Sequence, residues 1–509
     1  MRLAGRARLA LGLALGCAAA VRPAVAGAQQ RGPDVRIVER GPGFMGGVLA
    51  AALASPHTVV GPADSAARVS RTTRVPNALI VLARDATIEG RVRGDVVVVG
   101  GDLYVRPGAV IEGRAVAIGG VVVVSALASV RDGRLSYDDA TYDVSPAPGG
   151  GWELRYRRLT ASESRDDRPR ITPGIGMPTY DRVNGLSLGL APTFSLADDR
   201  LALQPSLTYR SDLGVLDPGG RITGRLDDRT RAELWMRRGT FTNDAWIYGD
   251  LLNSVNTLFG GRDLRNYFRG TRADLRVYHR TEGERWEIEP WIGGRWERAE
   301  SVVMDTGTTH APWSLFGRTS DEGMRRPNPP IDDGRLGAGL LGARLRWEPG
   351  DVRAVTDVET EIALDAPGNR RFAQTTVDVR LSFPTFGRQR YRLEAHGVVT
   401  GGDSTVRQRY VHLGGSGTLR TLGAFEQAGD QLLFLEHTYS IPFERPALPL
   451  IGGPTLALRY VVGSTGVGSL PPLEQEVGVR VVFGLLRADL LRNPGRGVSK
   501  GSVGFSFTR

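Results

Sequence analysis

Three sets of residues have types and spacings that could do chemistry. Gly41-Pro42-Gly43-Phe44-Met45-Gly46 fits the GxGxxG turn, in which amides at a helix N-terminus receive a pyrophosphate. It follows a short apolar segment, Val35 to Val38, but Pro42 constrains the turn and no βαβ unit of the right length surrounds it, so dinucleotide binding is not expected. Gly185-Leu186-Ser187-Leu188-Gly189 fits the GxSxG nucleophile elbow. That elbow needs strand, turn and helix, whereas Ser187 is the polar half of an alternating strand. The six histidines (His57, His279, His310, His396, His412, His437) have no ligand spacing and no neighbouring Cys, so neither a metal nor a cofactor is expected. A serine triad assembled across strands, as in an outer-membrane hydrolase, leaves no trace in sequence and stays open as a second alternative.

The elements that would position any such residues begin with a leader. Residues 1–28 combine a basic start (Arg2, Arg6, Arg8), an apolar stretch from Leu9, and small-residue cleavage sites at Ala24-Val25-Ala26 and Ala26-Gly27-Ala28. The sole Cys, Cys17, lies within it, after Ala14-Leu15-Gly16, a partial lipoprotein box without the usual Leu or Val. After ordinary cleavage no thiol remains for thiolate catalysis or a disulfide. Of the formal charge of +10, four arginines leave with the leader. The basic residues that remain are, apart from Lys500, arginines spread singly among Asp and Glu, not a clustered stripe, so nucleic acid is not an expected partner. The 41% hydrophobic content excludes wholesale disorder, and the longest apolar run, Leu9 to Val21, is too short for a spanning helix.

Residues 29–72 are poorly patterned, with one apolar segment, Val48 to Leu53, that could form a helical turn or two. From 73 to 131 the texture changes to glycine-punctuated β-branched runs, Asp95-Val96-Val97-Val98-Val99-Gly100-Gly101 and Gly119-Gly120-Val121-Val122-Val123-Val124. Ile88-Glu89-Gly90-Arg91 recurs as Ile111-Glu112-Gly113-Arg114, 23 residues on, each followed by a valine-rich strand. Short repeats that bury one face by stacking mark a solenoid with glycine at its corners; two hairpins of a small sandwich are the alternative. Residues 132–172, polar and carrying Pro146-Ala147-Pro148-Gly149-Gly150-Gly151, read as a linker.

From Tyr180 to the last residue the pattern has period two: Leu186, Leu188, Leu190; Trp286, Ile288, Pro290, Ile292; Val377, Val379, Leu381, Phe383. Roughly 330 residues of alternating strands without amphipathic helices must hide their edges by closing, as a soluble sandwich or propeller array or as a membrane barrel. Strands near the roughly 9 to 11 residues needed to cross at a tilt favour the barrel. So do Trp235, Trp246, Tyr267, Phe268, Trp286, Trp296, Trp313 and Trp347 near strand ends, where an interfacial belt would lie. Fifteen strands can be counted, ten before the glycine-rich stretch at Gly414 and five after; an even number is required, so sixteen are expected over 173–509.

Five stretches resemble known proteins. The 73–131 segment is similar to the polymer-forming β-solenoid of bactofilin type. Asp181-Arg182-Val183-Asn184-Gly185-Leu186, Leu413-Gly414-Gly415-Ser416-Gly417-Thr418-Leu419-Arg420 and Leu432-Leu433-Phe434-Leu435-Glu436-His437-Thr438-Tyr439-Ser440-Ile441-Pro442 resemble the bacterial surface-antigen family. That family is the barrel of outer-membrane assembly factors, the Bam type, and of two-partner-secretion transporters. The last strand, with Val503, Phe505 and Phe507, resembles the terminal signal of outer-membrane proteins.

These resemblances imply an all-β chain: a small β-solenoid followed by a transmembrane antiparallel barrel. By resemblance Gly414, Gly415, Gly417 and Arg420 form a loop folded into the lumen, with Glu436 as the partner of Arg420. An exposed loop arginine and a separate lumen glutamate is the alternative. The chain departs from the family at Thr421 and Leu422, which replace the usual Gly and aromatic, and at Val461, where a second acid is expected. It also lacks the periplasmic helix-and-strand modules that capture client strands. The expected function is therefore a non-enzymatic outer-membrane barrel whose periplasmic solenoid scaffolds or recruits, with a loop-gated pore as the alternative. Expected partners are outer-membrane lipid, the barrel assembly machinery, and a periplasmic protein or a second solenoid.

Overall fold

The structure, a computed structural model, describes residues 35–505 apart from 42, 65–66, 126–127, 138–139, 149, 159–169, 173, 197–199, 303–312, 317–323, 388, 444–452 and 484–485. The expected leader with Cys17, and Phe507 of the expected terminal signal, lie outside the described residues; so does the side chain of Phe505.

The valine-rich runs form three parallel sheets stacked as a solenoid. One has five strands (His57–Val60, Ala78–Leu82, Val96–Val99, Ala115–Ile118, Arg134–Tyr137). Another has four (Arg68–Val69, Ala86–Ile88, Leu103–Val105, Val122–Val124), and so has the third (Arg74–Val75, Arg91–Val92, Val110–Ile111, Ser129–Val130). Parallel pairing throughout excludes the two-hairpin alternative. Val96 lies beside Ala115, which lies beside Arg134, so one rung takes 19 residues. The signal is Val99-Gly100-Gly101 against Ile118-Gly119-Gly120. Gly100 and Gly119 turn the corner at φ +77° and +75°, where a side chain is disfavoured, and a Cβ on Gly120 would collide with the Gly101 carbonyl of the rung below.

The 23-residue tetrapeptide repeat is therefore not the structural repeat. Ile88 sits beside Val105 on one face, whereas Ile111 sits between Val92 and Val130 on another. The two copies occupy different corners of the rung, Gly90 against the Ser70 and Thr73 carbonyls and Gly113 against Asp95. Both corners need a β-branched residue and then a glycine, and that shared need produced the match. The stack runs from His57 to Tyr137, past 73–131 at both ends.

The flanking segments are ordered where described. Helix Gly43–Ala54 is sandwiched between the five-stranded solenoid face and a small sheet of Val35–Glu39, Trp152–Arg158 and Ala140–Pro146. Met45, Val48, Leu49 and Ala52 of the helix share one core with Ile80, Leu82, Val97, Val99, Val116 and Ile118 below and with Leu154 and Tyr156 above. Among the described residues, 35–54 and 140–158 thus form a lid on the solenoid, within the stretches read from sequence as an irregular lead and a linker. Leu154 and Tyr156 alternating with Arg155 and Arg157 carried that signal in a segment dominated by its charged neighbours.

Past residue 170, nineteen strand segments make one antiparallel sheet. Three pairs of segments lie end to end against a shared neighbour: Arg170–Thr172 with Thr179–Asp181, Gly185–Leu190 with Thr193–Leu196, and Phe268–His279 with Thr281–Gly283. Counting each pair once gives the sixteen expected strands, eleven before the Gly414 loop and five after. The strand passed over in the sequence is the first, interrupted by Pro173-Gly174 and Pro178. The sheet curls into a barrel, and the infolded segment 242–267 bridges its two ends. Ser254 of helix Asp250–Gly260 accepts from the Tyr180 amide of the first strand, and Tyr248 just before that helix hydrogen-bonds Arg487 of the fifteenth.

Truncating Ile80 to Ala, fully buried in the shared core, is expected to cost about 2–5 kcal/mol. Val123→Ser, at a 49% exposed position, is expected to change stability by less than about 0.5 kcal/mol. Denaturant titration followed by protease protection of the 57–137 stretch checks this, and equal effects would contradict the stacked core.

Candidate functional site

The barrel wall is inside-out relative to a water-soluble protein. Along Trp286–Glu300, Ile292 (67% exposed) and Trp296 point outward while Glu287, Arg295 and Glu297 (0%) point inward. In the thirteenth to sixteenth strands Leu458, Tyr460, Val477, Val479, Val481, Leu490 and Val503 are exposed, and Arg459, Glu476 and Asp489 are buried. Trp286 and Trp347 join the outer surface, as expected of belt residues. Trp246, Tyr267 and Phe268 do not: Trp246 stacks on His396 at 4.3 Å inside the lumen, and Tyr267 and Phe268 are buried. Trp235 packs edge-on to Phe241.

Ser187 faces inward, accepting a hydrogen bond from Arg210 Nη1 at 3.0 Å, within strand Gly185–Leu190 rather than at an elbow. The GxGxxG glycines open helix Gly43–Ala54. The strand before that helix belongs to the small sheet and the strand after it to the solenoid, so no βαβ unit forms.

The lumen is occupied by two infolded segments. The loop 403–430 enters through the 3-10 turn Arg407–Arg409, runs as Val411–Leu413 and returns as Gln427–Gly429 paired to it. Between them lies the tip predicted from sequence. Gly414, Gly415 and Gly417 take φ of +118°, +89° and +98°, and a Cβ on Gly417 would strike Ile247 and Tyr248 of the other infolded segment. Leu413, Leu419 and Leu422 bury against Val398, Leu432, Phe434 and Val461 of the wall. Asp244 shares a hydrogen bond with His412 at 2.9 Å, and Tyr248 with Ser416 at 3.2 Å, tying the segments together.

Arg420 is buried in the lumen, but its partner is not Glu436. Its Nη1 donates to Asp489 at 2.5 Å and to Ser502 at 3.2 Å. Glu436 is bound by Arg459, whose Nη2 lies 2.8 Å away. The reason is register: Glu436 faces Val461, which faces Glu476, and Asp489 lies one strand further on, so Glu436 on the twelfth strand stands three strands short of the wall that Arg420 reaches. The acid absent at Val461 is supplied one strand later by Glu476, which accepts from the Thr421 amide at 2.8 Å.

A second anchor was missed in the sequence. Arg409, 4% exposed, binds Glu297 (3.0 and 3.2 Å) and Glu361 (3.1 Å) on the seventh and ninth strands. Arg272 and Arg295 complete the group through Glu297 (2.6 Å) and Glu361 (2.8 Å). One loop is therefore pinned by arginines to two separate parts of the wall. Nothing local in Arg407-Gln408-Arg409 separates its last residue from its first, because the acids lie 112 and 48 residues away.

The solenoid lies on the rim of short turns (226–229, 284–285, 348–352, 385–389), opposite the rim of long segments 242–267, 301–333 and 403–430. Gly43 and Gly47 let the helix start come down on Glu282 and Glu284, and Arg40 pairs with Glu284 at 3.1 Å. At the solenoid corner, Arg114 binds Asp95 (2.8 and 3.0 Å) and meets Glu348. Arg353 meets Asp132 and reaches Asp95 at 3.1 Å, while Arg390 lies 3.3 Å from Asp132. A cavity of about 260 Å³ sits in this seam. Burial pushes the Asp95 carboxyl up, but Arg114 and Arg353 outweigh it and hold the group below the usual carboxylate range. Burial draws Arg114 down, and Asp95 and Glu348 outweigh that, leaving it above its ordinary value.

No family model and no curated protein matches this chain. Solved structures do: CdiB from Acinetobacter baumannii (12% identity, 72% of this chain and 64% of that one, TM-score 0.39) and CdiB from Escherichia coli (12%, 72% and 66%, 0.40). Pseudomonas aeruginosa OccK10 (OpdN) also matches (11%, 72% and 94%, 0.31). The chain spans just under two thirds of the length of both CdiB chains. Likeness this distant decides nothing about function.

Two outcomes follow from these contacts. Arg409→Ala leaves Glu297 and Glu361 buried with less countercharge and is expected to cost about 3–5 kcal/mol. Arg409→Ala/Glu361→Gln should cost less than the sum of its parts, which a double-mutant cycle in detergent reads. At the dock, a carboxyl lowered in the folded state stabilises above its unfolded value of 3.8, and that contribution is lost as pH falls through the folded value. Hydrogen exchange in the 348–353 turn should therefore rise on acidification below 3.8, and Asp95→Asn should show the raised exchange already at neutral pH.

Proposed function

We propose that this chain is an outer-membrane β-barrel, closed at rest, that holds a β-solenoid at its periplasmic rim as a scaffold or recruitment module. The observation that carries this reading is the inversion of the wall. A sheet with Ile292, Leu490 and Val503 facing out over a lumen of buried Asp, Glu and Arg is stable only if its outer solvent is apolar. An export leader, sixteen strands and short turns on the solenoid's rim agree with this orientation, since an even count leaves both chain ends on one side and short turns face the periplasm in barrels of this class. Delivery would require the barrel assembly machinery. The ion-paired seam favours a solenoid held in place and presented to a periplasmic protein or to a second solenoid.

A loop-gated translocation channel is the second reading. It is favoured by the way the 403–430 loop is held: its tip meets the fourteenth to sixteenth strands through ion pairs and hydrogen bonds, not strand pairing, so it can leave without breaking the wall. After membrane fractionation the protein should migrate as a heat-modifiable band. A chain that stays monodisperse and native without detergent would overturn the barrel. In planar bilayers the wild type should be silent. Stepwise conductance in Arg409→Ala/Arg420→Ala would establish the channel reading, and continued silence would dismiss it in favour of the closed anchor.

A further inference from the structure

The two ends of the infolded loop differ in charge balance. Around Arg409 the cations Arg272, Arg276, Arg295 and Arg409 meet four carboxylates, Asp274, Glu297, Glu359 and Glu361. Around Arg420 the balance fails. Asp489 alone receives three guanidiniums: Arg420 at 2.5 Å, Arg480 at 2.7 Å and Arg487 at 3.0 Å. Arg459 takes Glu436, and Glu476 is engaged by the Thr421 amide. Four guanidiniums thus meet three carboxylates, and Lys500, an exposed residue, donates to the Arg420 carbonyl at 2.9 Å.

Donors are also left over. Arg420 Nε and Arg459 Nη1, on side chains 7% and 2% exposed, have no hydrogen-bond partner among the described residues, and Arg487 Nε lies near Asp489 without a bonding angle. The unused acceptors nearby, Glu476 Oε1 and the Thr421 hydroxyl, do not remove the excess: the first is 3.9 Å from Arg459 Nη1, and the second can donate. In an enclosed site, uncompensated guanidiniums attract a further anion more strongly than they would in water.

We propose that Arg420, Arg480 and Arg487 form a binding site for a small tetrahedral oxyanion of phosphate or sulfate type, entering from the short-turn end of the lumen. This rests on the reading of that face as an enclosed lumen. Arg480 and Arg487 are each 17% exposed; Arg480 stands directly across the ladder from Asp489, and Arg487 lies two residues nearer the short-turn rim, in the strand that starts there. Guanidiniums match oxyanion geometry with paired N–H donors. The bound anion supplies the missing countercharge, so it stabilises the loop in its closed position.

The test uses the full-length protein in detergent, titrated with inorganic phosphate or sulfate, with sodium chloride at matched ionic strength as control. Saturable binding by calorimetry, with a phosphate-dependent rise in melting temperature beyond the chloride control, is expected. Arg480→Gln/Arg487→Gln should weaken binding at least tenfold, whereas Arg298→Gln, at an exposed position, should not. Asp489→Asn should tighten it, because it removes the carboxylate that competes for the same donors. Absence of saturable binding, unchanged affinity in Arg480→Gln/Arg487→Gln, or weakening in Asp489→Asn would overturn the site. If the double variant loses its heat-modifiable band, Arg480→Gln alone and Asp489→Asn decide by the same criteria. A wild type that never shows that band would instead refute the barrel.

Discussion

The whole molecule turns on which solvent each face of the strands meets. A sixteen-strand wall with its charges inside can bury Glu297, Glu476 and Asp489 only because arginines meet them there. It can leave Leu364 and Leu490 uncovered only because their side faces hydrocarbon. The infolded loop follows from the same constraint. A polar lumen offers ion-pair partners to any basic segment that enters, and a segment bringing its own apolar residues, as Leu413, Leu419 and Leu422 do, gains a small core as well.

The ends of that loop are unequal in kind. Arg409 is clamped between two glutamates that belong to a balanced cluster, so truncating it strands charge on several strands at once. Arg420 shares its single carboxylate with two competitors, and Gly414, Gly415 and Gly417 let the tip turn tightly beside it. In physical terms the first end is a hinge post and the second a latch. Motion of the tip about Arg409 breaks fewer favourable contacts than motion of the entire loop.

Much of the architecture was legible because period-two alternation survives in any sequence facing two solvents, and glycine at tight corners is hard to replace. The strand total followed from parity once fifteen had been counted. What misled was local resemblance standing for spatial position: Ile88 and Ile111 share a tetrapeptide but not a face, and Glu436 has the expected neighbours in sequence but not the reach. Arg409 and Asp489 were invisible for the same reason. Their partners come from distant strands, and an arginine or aspartate on the polar side of a barrel strand looks like every other. The lid over the solenoid was hidden by composition, since the Pro- and Gly-rich run before Leu154 and Tyr156 and the charged run Arg165-Asp166-Asp167-Arg168 after them suggested a linker.

The seam between solenoid and barrel has a geometric basis that neither unit explains alone. Rungs of a parallel stack and strands of a barrel share one spacing, about 4.8 Å, because backbone hydrogen bonding sets both. Asp95 and Asp132 lie two rungs apart, and Arg353 and Arg390 begin strands that are two apart in the wall. Laid side-on along the rim, the solenoid corner therefore keeps the spacing of the hairpins below it, and acids two rungs apart meet arginines on successive turns of that rim. The 19-residue offset carries position 95 to Arg114 and then to Gly133, so Arg114 fills the rung between the acids and Asp132 stands one residue before the column. Inserting a single residue into one rung would displace the acids beyond it, whereas inserting a whole rung would only shift the pattern by one strand spacing. The match thus depends on the two 19-residue rungs that separate Asp95 from Asp132, whereas the rung before them takes 17 residues.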